Sequence, residues 1–271
     1  MARPLRVLFP GALYHLTSRG NNRARVFRSP ADYESFFDVV AQVVDRYGWL
    51  CHSYCVLGNH YHLLVETPHP NLPVGMRQLN GVFTQRYNRR HERCGHLFQA
   101  RYTAVLVEAE SHLLEVVRYI ARNPVRARLC PEPAGWKWSS YPAFLGLVPR
   151  PAFLTDSWIL RHFAQDRATA RDGLRRFVEG GTAAPLRLRA GVYAATDEFL
   201  KDVLRDVDPI AEVPRRQWQP APPSLAEIFQ TTERHVAAAY RQYGYTLRDI
   251  ACHLGCHYST VSRRLRREEA A

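Results

Sequence analysis

Lysine is almost absent from this sequence of 271 residues. Lys137 and Lys201 are its two lysines, so 35 of the 37 basic residues are arginine. Neither lysine lies in a Gly-Lys-Ser or Gly-Lys-Thr phosphate-binding loop, so we do not expect a motor driven by nucleotide hydrolysis. Arginine suits paired contacts to phosphates and bases, although a GC-rich genome also produces this bias. The net charge needs its own explanation.

Long apolar runs are also missing. No segment approaches the roughly 18 to 20 apolar residues that a membrane span needs. The apolar part of residues 1–10 is too short for a signal peptide, and six cysteines without a leader fit a reduced protein better than a disulfide scaffold. We therefore expect a cytoplasmic protein with no membrane partner.

Positive charge is what the sequence has in excess. The formal net charge is +12 at pH 7, and 46% of the residues are hydrophobic. Such a chain can bury the core of one large domain or two modest ones. Clustered cations attract polyanions over long range, so nucleic acid is the first candidate for a partner.

Strand and helix patterns alternate in the first half of the chain. Ser29-Pro30 predicts a helix start and Gly48 its end, while Gly58-Asn59 suits a two-residue hairpin turn. Pro124 is expected to stop a later helix. The predicted order is strand 13–17, helix 30–47, strands 49–57 and 60–66, helix 74–90, strand 97–107 and helix 111–123. These elements predict an α+β fold with a small antiparallel sheet and helices packed on one face.

The rest of the chain divides by composition. We expect a first domain at 1–145, a helical extension at 146–208, a stiff Pro-rich linker at 209–223 and a C-terminal module at 224–271. Within the module, Ser224 to Glu227 and Thr246 to Asp249 have the spacing of capping boxes, which mark helix starts.

The C-terminal module has the pattern of a helix-turn-helix. Ile250, Ala251 and Leu254 share one helix face, Gly255 supplies the turn, and a second helix carries Val261 and Leu265. In such motifs the second helix enters the major groove of duplex DNA. The alternative is a small helical hairpin used only for packing. The residues expected to face DNA are Ser259, Thr260, Arg263 and Arg264.

Two histidines on the second hairpin strand form a candidate metal site. Alternation in His60-Tyr61-His62 places both imidazoles on one face of the strand, where they could hold one divalent ion. The alternative is a pair of surface histidines on a half-exposed strand. Lone histidines such as His15 and His96 are expected to be structural.

The helix at 111–123 carries a candidate nucleophile. At about 100° per residue, Tyr119 and Asn123 lie together, away from the apolar stripe. A phenol is a weak nucleophile at neutral pH, so attack on a phosphodiester needs a cation to polarise the phosphate. Asn123 could supply an amide oxygen as a third ligand. The alternative for Tyr119 is an ordinary tyrosine at a helix–sheet boundary.

Five blocks in order resemble the REP-associated tyrosine transposases, a branch of the single-tyrosine HUH transposases. The blocks are YHLTSRGN at 14–21, VLGNHYHLLV at 56–65, LFQARY at 97–102, YIARNPVRA at 119–127 and WSSY at 138–141. The resemblance covers residues 1 to about 145 well and 155 to 205 more loosely. The family usually has a His-Leu pair where this chain has Ala121-Arg122.

The resemblance implies a ferredoxin-like fold and a DNA-cutting enzyme. By it, His60, His62 and Asn123 bind Mg²⁺ or Mn²⁺, and Tyr119 attacks the scissile phosphate, becomes linked to the 5′ phosphate and releases a 3′ hydroxyl. The implied substrate is single-stranded DNA folded as a palindromic hairpin.

Contacts to single-stranded DNA are expected from arginines and aromatic rings near the site. The candidates are Arg19, Arg23, Arg101, Tyr102 and Arg126. Two alternatives remain open, a domesticated hairpin-binding protein that no longer cuts and a duplex-DNA regulator built around the helix-turn-helix. The sequence leaves open whether the active unit is a monomer or a homodimer.

Overall fold

The computed structural model describes residues 7–181, 186, 188–205, 223–231, 235–243 and 245–270. Most of the expected linker at 209–223 lies outside the described residues. The chain forms two compact units, one of residues 8–195 and one to which the described residues from 196 onward belong. Among the described residues, no helix combines the length and the apolar character needed to cross a bilayer.

The larger unit is built on a five-stranded sheet with strand order β2-β3-β1-β4-β5. The first four strands are antiparallel, and β5 pairs with β4 in parallel. The strands are β1 (Ala12–Arg19), β2 (Leu50–Val56), β3 (His60–Thr67), β4 (Thr103–Val107) and β5 (Tyr193–Ala194). The helices are α1 (Pro30–Tyr47), α2 (Leu72–Arg90), α3 (Ala109–Arg126), α4 (Tyr141–Phe144), α5 (Ser157–Arg161) and α6 (Arg167–Gly180). This arrangement confirms the predicted α+β class.

The helices divide between the two faces of the sheet. Tyr61 on β3 packs against Phe36 of α1, with ring centroids 4.7 Å apart, and donates a 2.6 Å hydrogen bond to Asn80 Oδ1 of α2. The next residue, His62, points the other way and meets Tyr119 of α3. Helices α1 and α2 therefore share one face, whereas α3 covers the opposite face. The prediction that the helices pack on one face is wrong for α3, because neighbouring residues of a strand point to opposite faces.

Several predicted boundaries differ from the structure. Helix α2 begins at Leu72 rather than residue 74, and α3 begins at Ala109 rather than residue 111. The strand expected at 97–107 begins only at Thr103. The residues before it form an isolated bridge between Phe98 and Gly20, in which the Gln99 N–H donates to the carbonyl of Arg19 at the end of β1. The helix expected to stop at Pro124 continues to Arg126. Pro124 lacks the N–H for one helical hydrogen bond, but the Ala127 N–H still donates to the carbonyl of Asn123, so the last turn forms around the proline.

The larger unit extends past the expected boundary at residue 145. The Leu106 N–H donates to the carbonyl of Val192, and the Thr155 N–H donates to that of Cys51. These bonds attach the segment after α4 to both edges of the predicted sheet. Residues 146–195 therefore belong to the same compact unit rather than to a separate extension.

The start of α1 is fixed by a buried carboxylate. Asp32 is fully buried and accepts hydrogen bonds from the backbone N–H groups of Arg28 (2.9 Å) and Ser29 (3.0 Å). Its other oxygen lies 3.1 Å from Arg90 Nη1 and 2.8 Å from His91 Nε2. Burial alone would raise the pKa of Asp32, but these hydrogen bonds outweigh burial and lower the pKa. The carboxylate thereby ties α1 to the end of α2.

Replacing Asp32 with asparagine should destabilise the protein by about 2 kcal/mol at pH 7, the usual size of a hydrogen-bond loss at a charged group. Because the folded-state pKa is lowered, this stability is present above about pH 4 and is lost as the pH falls. Chemical denaturation at pH 7 and pH 3 measures it. The exposed Asp38→Asn on the same helix is the control, and equal effects of the two variants at pH 7 would contradict the prediction.

The second unit contains α7 (Asp197–Val203), α8 (Leu225–Thr231), α9 (His235–Ala237), α10 (Leu247–His253) and α11 (Tyr258–Ala270), with a π-helical turn at Ala238–Gln242. Both predicted capping boxes are present, since Glu227 N–H bonds Ser224 Oγ and Asp249 N–H bonds Thr246 Oγ1. Gly255 adopts a left-handed φ of 62° between α10 and α11. The core consists of Ile228, Val236, Ala239, Ile250, Ala251, Val261 and Leu265.

Candidate active site

Three histidines come together on the face of the sheet that α3 covers. The register of β1 and β3 pairs Thr17 with His62 and Arg19 with His60. His15 lies two residues before Thr17, on the same face of β1. It is therefore the diagonal neighbour of His62, and it is buried, with 5% of its surface exposed.

His62 is held by its neighbours on β1. Its Nδ1 lies 2.8 Å from His15 Nε2 and 3.3 Å from Thr17 Oγ1. The rings of His15 and His62 are stacked, with centroids 5.1 Å apart and planes 14° apart. In the described part of the chain no partner hydrogen-bonds the buried His62 Nε2. That nitrogen is therefore available to a ligand.

His60 is oriented by the hairpin turn. Its Nδ1 lies 2.6 Å from Asn59 Oδ1, and since an amide oxygen only accepts, Nδ1 carries the proton. This leaves the lone pair on Nε2. The ring meets that of His62 edge to face at 4.9 Å.

All three imidazoles are held in the neutral form. Burial lowers the pKa of His15 to about 4. Burial and the nearby charge of Arg19 lower the pKa of His60 to about 4. Burial, followed by the neighbouring histidines, Arg19 and Arg126, lowers the pKa of His62 well below its usual value. Neutral imidazoles offer the lone pairs that metal coordination requires.

Helix α3 brings the predicted nucleophile to these rings. The half-buried ring of Tyr119 lies edge to face against both His62 and His15, with centroids 5.7 Å apart in each case. Among the described residues, no side chain hydrogen-bonds its hydroxyl. The Arg126 guanidinium lies over the ring, 4.8 Å from the centroid. This is a cation–π contact, in which the face of the ring attracts the guanidinium.

Asn123 lies one turn after Tyr119 and is buried, with 6% of its surface exposed. Its side-chain Nδ2 donates a 3.0 Å hydrogen bond to the carbonyl of Tyr119. The amide oxygen is then the atom left to bind an ion. Although Asn123 precedes Pro124, it lies within α3, so its position is fixed by the helix.

The donor atoms fit a divalent cation that accepts both nitrogen and oxygen. Across the described ranges no three His, Cys, Asp or Glu side chains form a metal-binding group. A cation here would use the two imidazole Nε2 atoms and the amide oxygen, with water or phosphate oxygens completing its shell. The unpartnered, buried His62 Nε2 is the observation that favours coordination.

The expected DNA-contacting residues of the first domain divide by exposure. Arg19, Arg23, Arg101 and Arg126 are exposed, and Arg19 and Arg126 lie beside the histidines. Tyr102 does not fit its expected role in base stacking, because only 8% of it is exposed. Its ring contributes to the core next to β4 instead.

Arg122, where relatives usually have leucine, bonds within the protein. Its Nη1 donates to the carbonyls of Val178 (2.9 Å) and Glu179 (3.2 Å) at the end of α6. Arg118, one turn earlier, stacks over Phe177 at 4.5 Å. A cation at a helix C-terminus also interacts favourably with the helix dipole. The departure from the family pattern therefore fastens α6 to the helix that carries Tyr119.

The surface of α11 partly matches the expected DNA contacts. Thr260 and Arg263 are exposed, and Ser259 Oγ lies 2.9 Å from His257 Nδ1. Arg264, also expected to face DNA, bonds Glu268 Oε1 (3.2 Å) and His235 Nε2 (2.8 Å). Three exposed residues of the same helix were missed, although helical spacing places two of them near Arg263. They are Tyr258, Arg266 and Arg267.

A His-x-His strand that faces a helical tyrosine on a ferredoxin-like sheet is the arrangement expected of the single-tyrosine HUH class. Residues 9–123 match the family model for IS200-like transposases, and residues 231–268 match that of a helix-turn-helix domain. Residues 9–123 are therefore similar to the IS200-like transposases, which confirms the resemblance to the tyrosine transposases. The chain is thus transposase-like over residues 9–123 and similar to a helix-turn-helix domain over residues 231–268.

Two solved structures are similar at low identity. A REP-associated tyrosine transposase bound to a REP hairpin has 16% identity, covers 58% of this chain and 93% of its own, and gives a TM-score of 0.48. A transposase candidate from Deinococcus radiodurans R1 has 17% identity, covers 47% of this chain and 95% of its own, and gives 0.33. The comparison with curated proteins finds no significant match. The assignment therefore rests on the family models and on the geometry.

Proposed function

We propose that the protein is a metal-dependent endonuclease and strand transferase that acts on single-stranded, hairpin-forming DNA. The observation that carries the proposal is the approach of Tyr119 to His62 and His15 at 5.7 Å in a single chain. A structural tyrosine at a helix–sheet boundary would not need three neutral imidazoles and an arginine around it. We place this activity in the cytoplasm.

Tyr119 is the nucleophile in this mechanism. Its hydroxyl gives up its proton to solvent, and its oxygen attacks the scissile phosphorus and forms a bond to the 5′ phosphate. The displaced 3′ oxygen takes up a proton from solvent and leaves as a free hydroxyl. Helix α3 holds the phenol beside the imidazoles, and the Arg126 guanidinium packs over the ring. Reaching the attacking geometry in this way lowers the entropic cost of the step.

His60, His62 and Asn123 are the residues that would hold a divalent cation, Mg²⁺ or Mn²⁺. When bound, the cation supplies Lewis-acid polarisation of the phosphate. Two imidazoles favour Mn²⁺ over the harder Mg²⁺. The exposed Arg19 adds positive charge beside His60 and His62, where the DNA phosphate must approach.

Strand joining follows from the same chemistry. The tyrosine–phosphate bond conserves the energy of the phosphodiester, so a 3′ hydroxyl can attack it and release Tyr119 without a nucleotide. The absence of a Gly-Lys-Ser/Thr loop from the sequence agrees with this. The five sequence blocks shared with REP-associated transposases favour palindromic hairpins as the substrate.

A hairpin oligonucleotide labelled differently at its two ends tests the proposal. With Mn²⁺, the 3′ label should stay on the protein after denaturation, because the 5′ phosphate of the downstream piece is linked to it. The 5′ label should appear on a shorter, free strand. Retention of the 5′ label on the protein would contradict the proposed polarity, and no adduct with any hairpin would contradict the enzymatic function.

The match of residues 231–268 to a helix-turn-helix domain favours a second candidate function, DNA binding without cutting. A domesticated hairpin-binding protein or a duplex-DNA regulator would use the same positive charge. Adduct formation separates these functions from the first, whereas affinity does not. In either case binding should weaken with salt, by roughly 0.7 log unit per log unit of salt for each phosphate neutralised on a single strand.

Arg263→Ala should weaken binding to duplex DNA while leaving adduct formation on a short hairpin unchanged. Arg263 is exposed on α11 and belongs to a different compact unit from Tyr119. A lost phosphate contact should reduce the salt slope by about one, and a lost base contact should cost about 1 to 3 kcal/mol. Fluorescence anisotropy measures both. Arg264→Ala, which removes an arginine already bonded within the unit, is the control, and equal losses would contradict the assignment.

A further inference from the structure

His15 is a third histidine at the site for which the proposed reaction has no use. It is buried and stacked on His62, and its Nε2 lies 2.8 Å from His62 Nδ1. Within the described part of the chain, its own Nδ1 is buried without a hydrogen-bond partner. A buried unsatisfied nitrogen destabilises a fold, so its presence calls for an explanation.

The protonation of His62 follows from its proposed role. If Nε2 gives its lone pair to a cation, Nδ1 must carry the single proton of the neutral ring. That proton needs an acceptor, and the two within reach are His15 Nε2 at 2.8 Å and Thr17 Oγ1 at 3.3 Å. The nitrogen of His15 is the closer one.

The tautomer of His15 is then determined as well. If its Nε2 accepts, its proton lies on Nδ1, the atom that is buried without a partner. The unsatisfied N–H is thus the consequence of turning Nε2 toward His62. Metal-binding histidines usually donate their second N–H to a carboxylate or a carbonyl, as His60 does to Asn59 Oδ1. Here an imidazole takes that place.

We propose that His15 is a positioning residue, which accepts the Nδ1 proton of His62 and thereby keeps His62 Nε2 directed at the metal. This inference rests on the proposed function, because it assigns the metal to His62. His15 also meets the ring of Tyr119 edge to face. It therefore holds the metal ligand and the nucleophile in one relative arrangement.

Mn²⁺ affinity without DNA, followed by the loss of the free-ion signal in electron paramagnetic resonance, tests the inference. In His15→Phe the ring remains but the acceptor is gone, and we expect binding to weaken about 10- to 100-fold, the usual effect of losing such a partner. His15→Gln, whose amide oxygen can accept, should recover most of the affinity. Thr17→Val removes the longer contact and is the matched control, with affinity close to that of the wild type.

Nitrogen-15 spectra of histidine-labelled wild-type protein provide a readout that does not depend on metal or on the folding of a variant. They should show His62 protonated on Nδ1. A bare His62 Nδ1, or His15→Phe that folds and binds Mn²⁺ as tightly as the wild type, would overturn the role of His15 alone. A wild-type protein that neither binds Mn²⁺ nor forms an adduct would overturn the proposed function, and the role of His15 with it.

Discussion

Tyr119→Phe should abolish the covalent protein–DNA adduct completely, because phenylalanine keeps the ring that packs on His15 and His62 and removes the one atom that attacks phosphorus. Hairpin binding should change little, since the phosphate contacts are assigned to arginines. A denaturing gel with a 3′-labelled hairpin and Mn²⁺ measures the adduct. Anisotropy at the same salt concentration measures binding. Tyr119→Phe should therefore lose adduct formation and keep hairpin binding.

Tyr61→Phe is the matched control for that experiment. Tyr61 lies between the two histidines in sequence, but its hydroxyl bonds Asn80 on the opposite face of the sheet. The loss of this bond should cost about 1 kcal/mol of stability and leave the adduct intact. An adduct that persists in Tyr119→Phe would refute the assignment of the nucleophile. Loss of the adduct in Tyr61→Phe alone would instead assign that role to Tyr61, on the opposite face of the sheet.

Local signals in the sequence were sufficient for most of the fold. Ser29-Pro30 and Gly48 predict the limits of α1, and both capping boxes of the second unit start helices where expected. Pro124 was a weaker signal, because a proline removes its own helical hydrogen bond while the bond from Ala127 to Asn123 still forms after it. The strand at 97–107 was predicted too long for a different reason. Its first residues form an isolated bridge with the end of β1 and the residues just after it, a long-range contact that local periodicity does not contain.

The sequence predicts those residues of the candidate site that a single strand or a single helix places together. Alternation along β3 places His60 and His62 on one face, and helical spacing places Tyr119 beside Asn123. His15 was missed, because its contact with His62 depends on the register of β1 against β3, which pairs Thr17 with His62. Alternation along β1 places His15 and Thr17 on one face, but this predicts a contact with His62 only once the register is known.

Arg122 shows the same limit. Arg122 departs from the family pattern, and the sequence gives no reason to prefer the end of α6 as its partner. The structure pairs it with the carbonyls of Val178 and Glu179. Because α6 belongs to the same compact unit as the sheet, this bond fixes α3 over its own histidines.

The contacts of α3 bear on whether the nucleophile acts within one chain. Tyr119 meets His62 and His15 of the same molecule at 5.7 Å. Arg122, and Arg118 stacked on Phe177, hold the helix from its outer side. To reach the histidines of another copy, α3 would have to break these contacts together. The geometry therefore favours a complete site in each chain.

A mixing experiment turns this geometry into a prediction with an all-or-none result. Tyr119→Phe keeps the histidines, and a variant with both His60→Ala and His62→Ala keeps the tyrosine, so each lacks one half of the site. If each chain forms its own site, the mixture should give no adduct, like either variant alone. Mixing each variant with wild-type protein, which should retain adduct in proportion to the wild-type fraction, excludes inhibition by the variants.

If chains instead exchanged α3, an intact site would form from the histidines of one variant and the tyrosine of the other. The adduct would then appear on the chain that lacks the histidines, which a size tag identifies on the gel, and its appearance would contradict an active site contained in one chain.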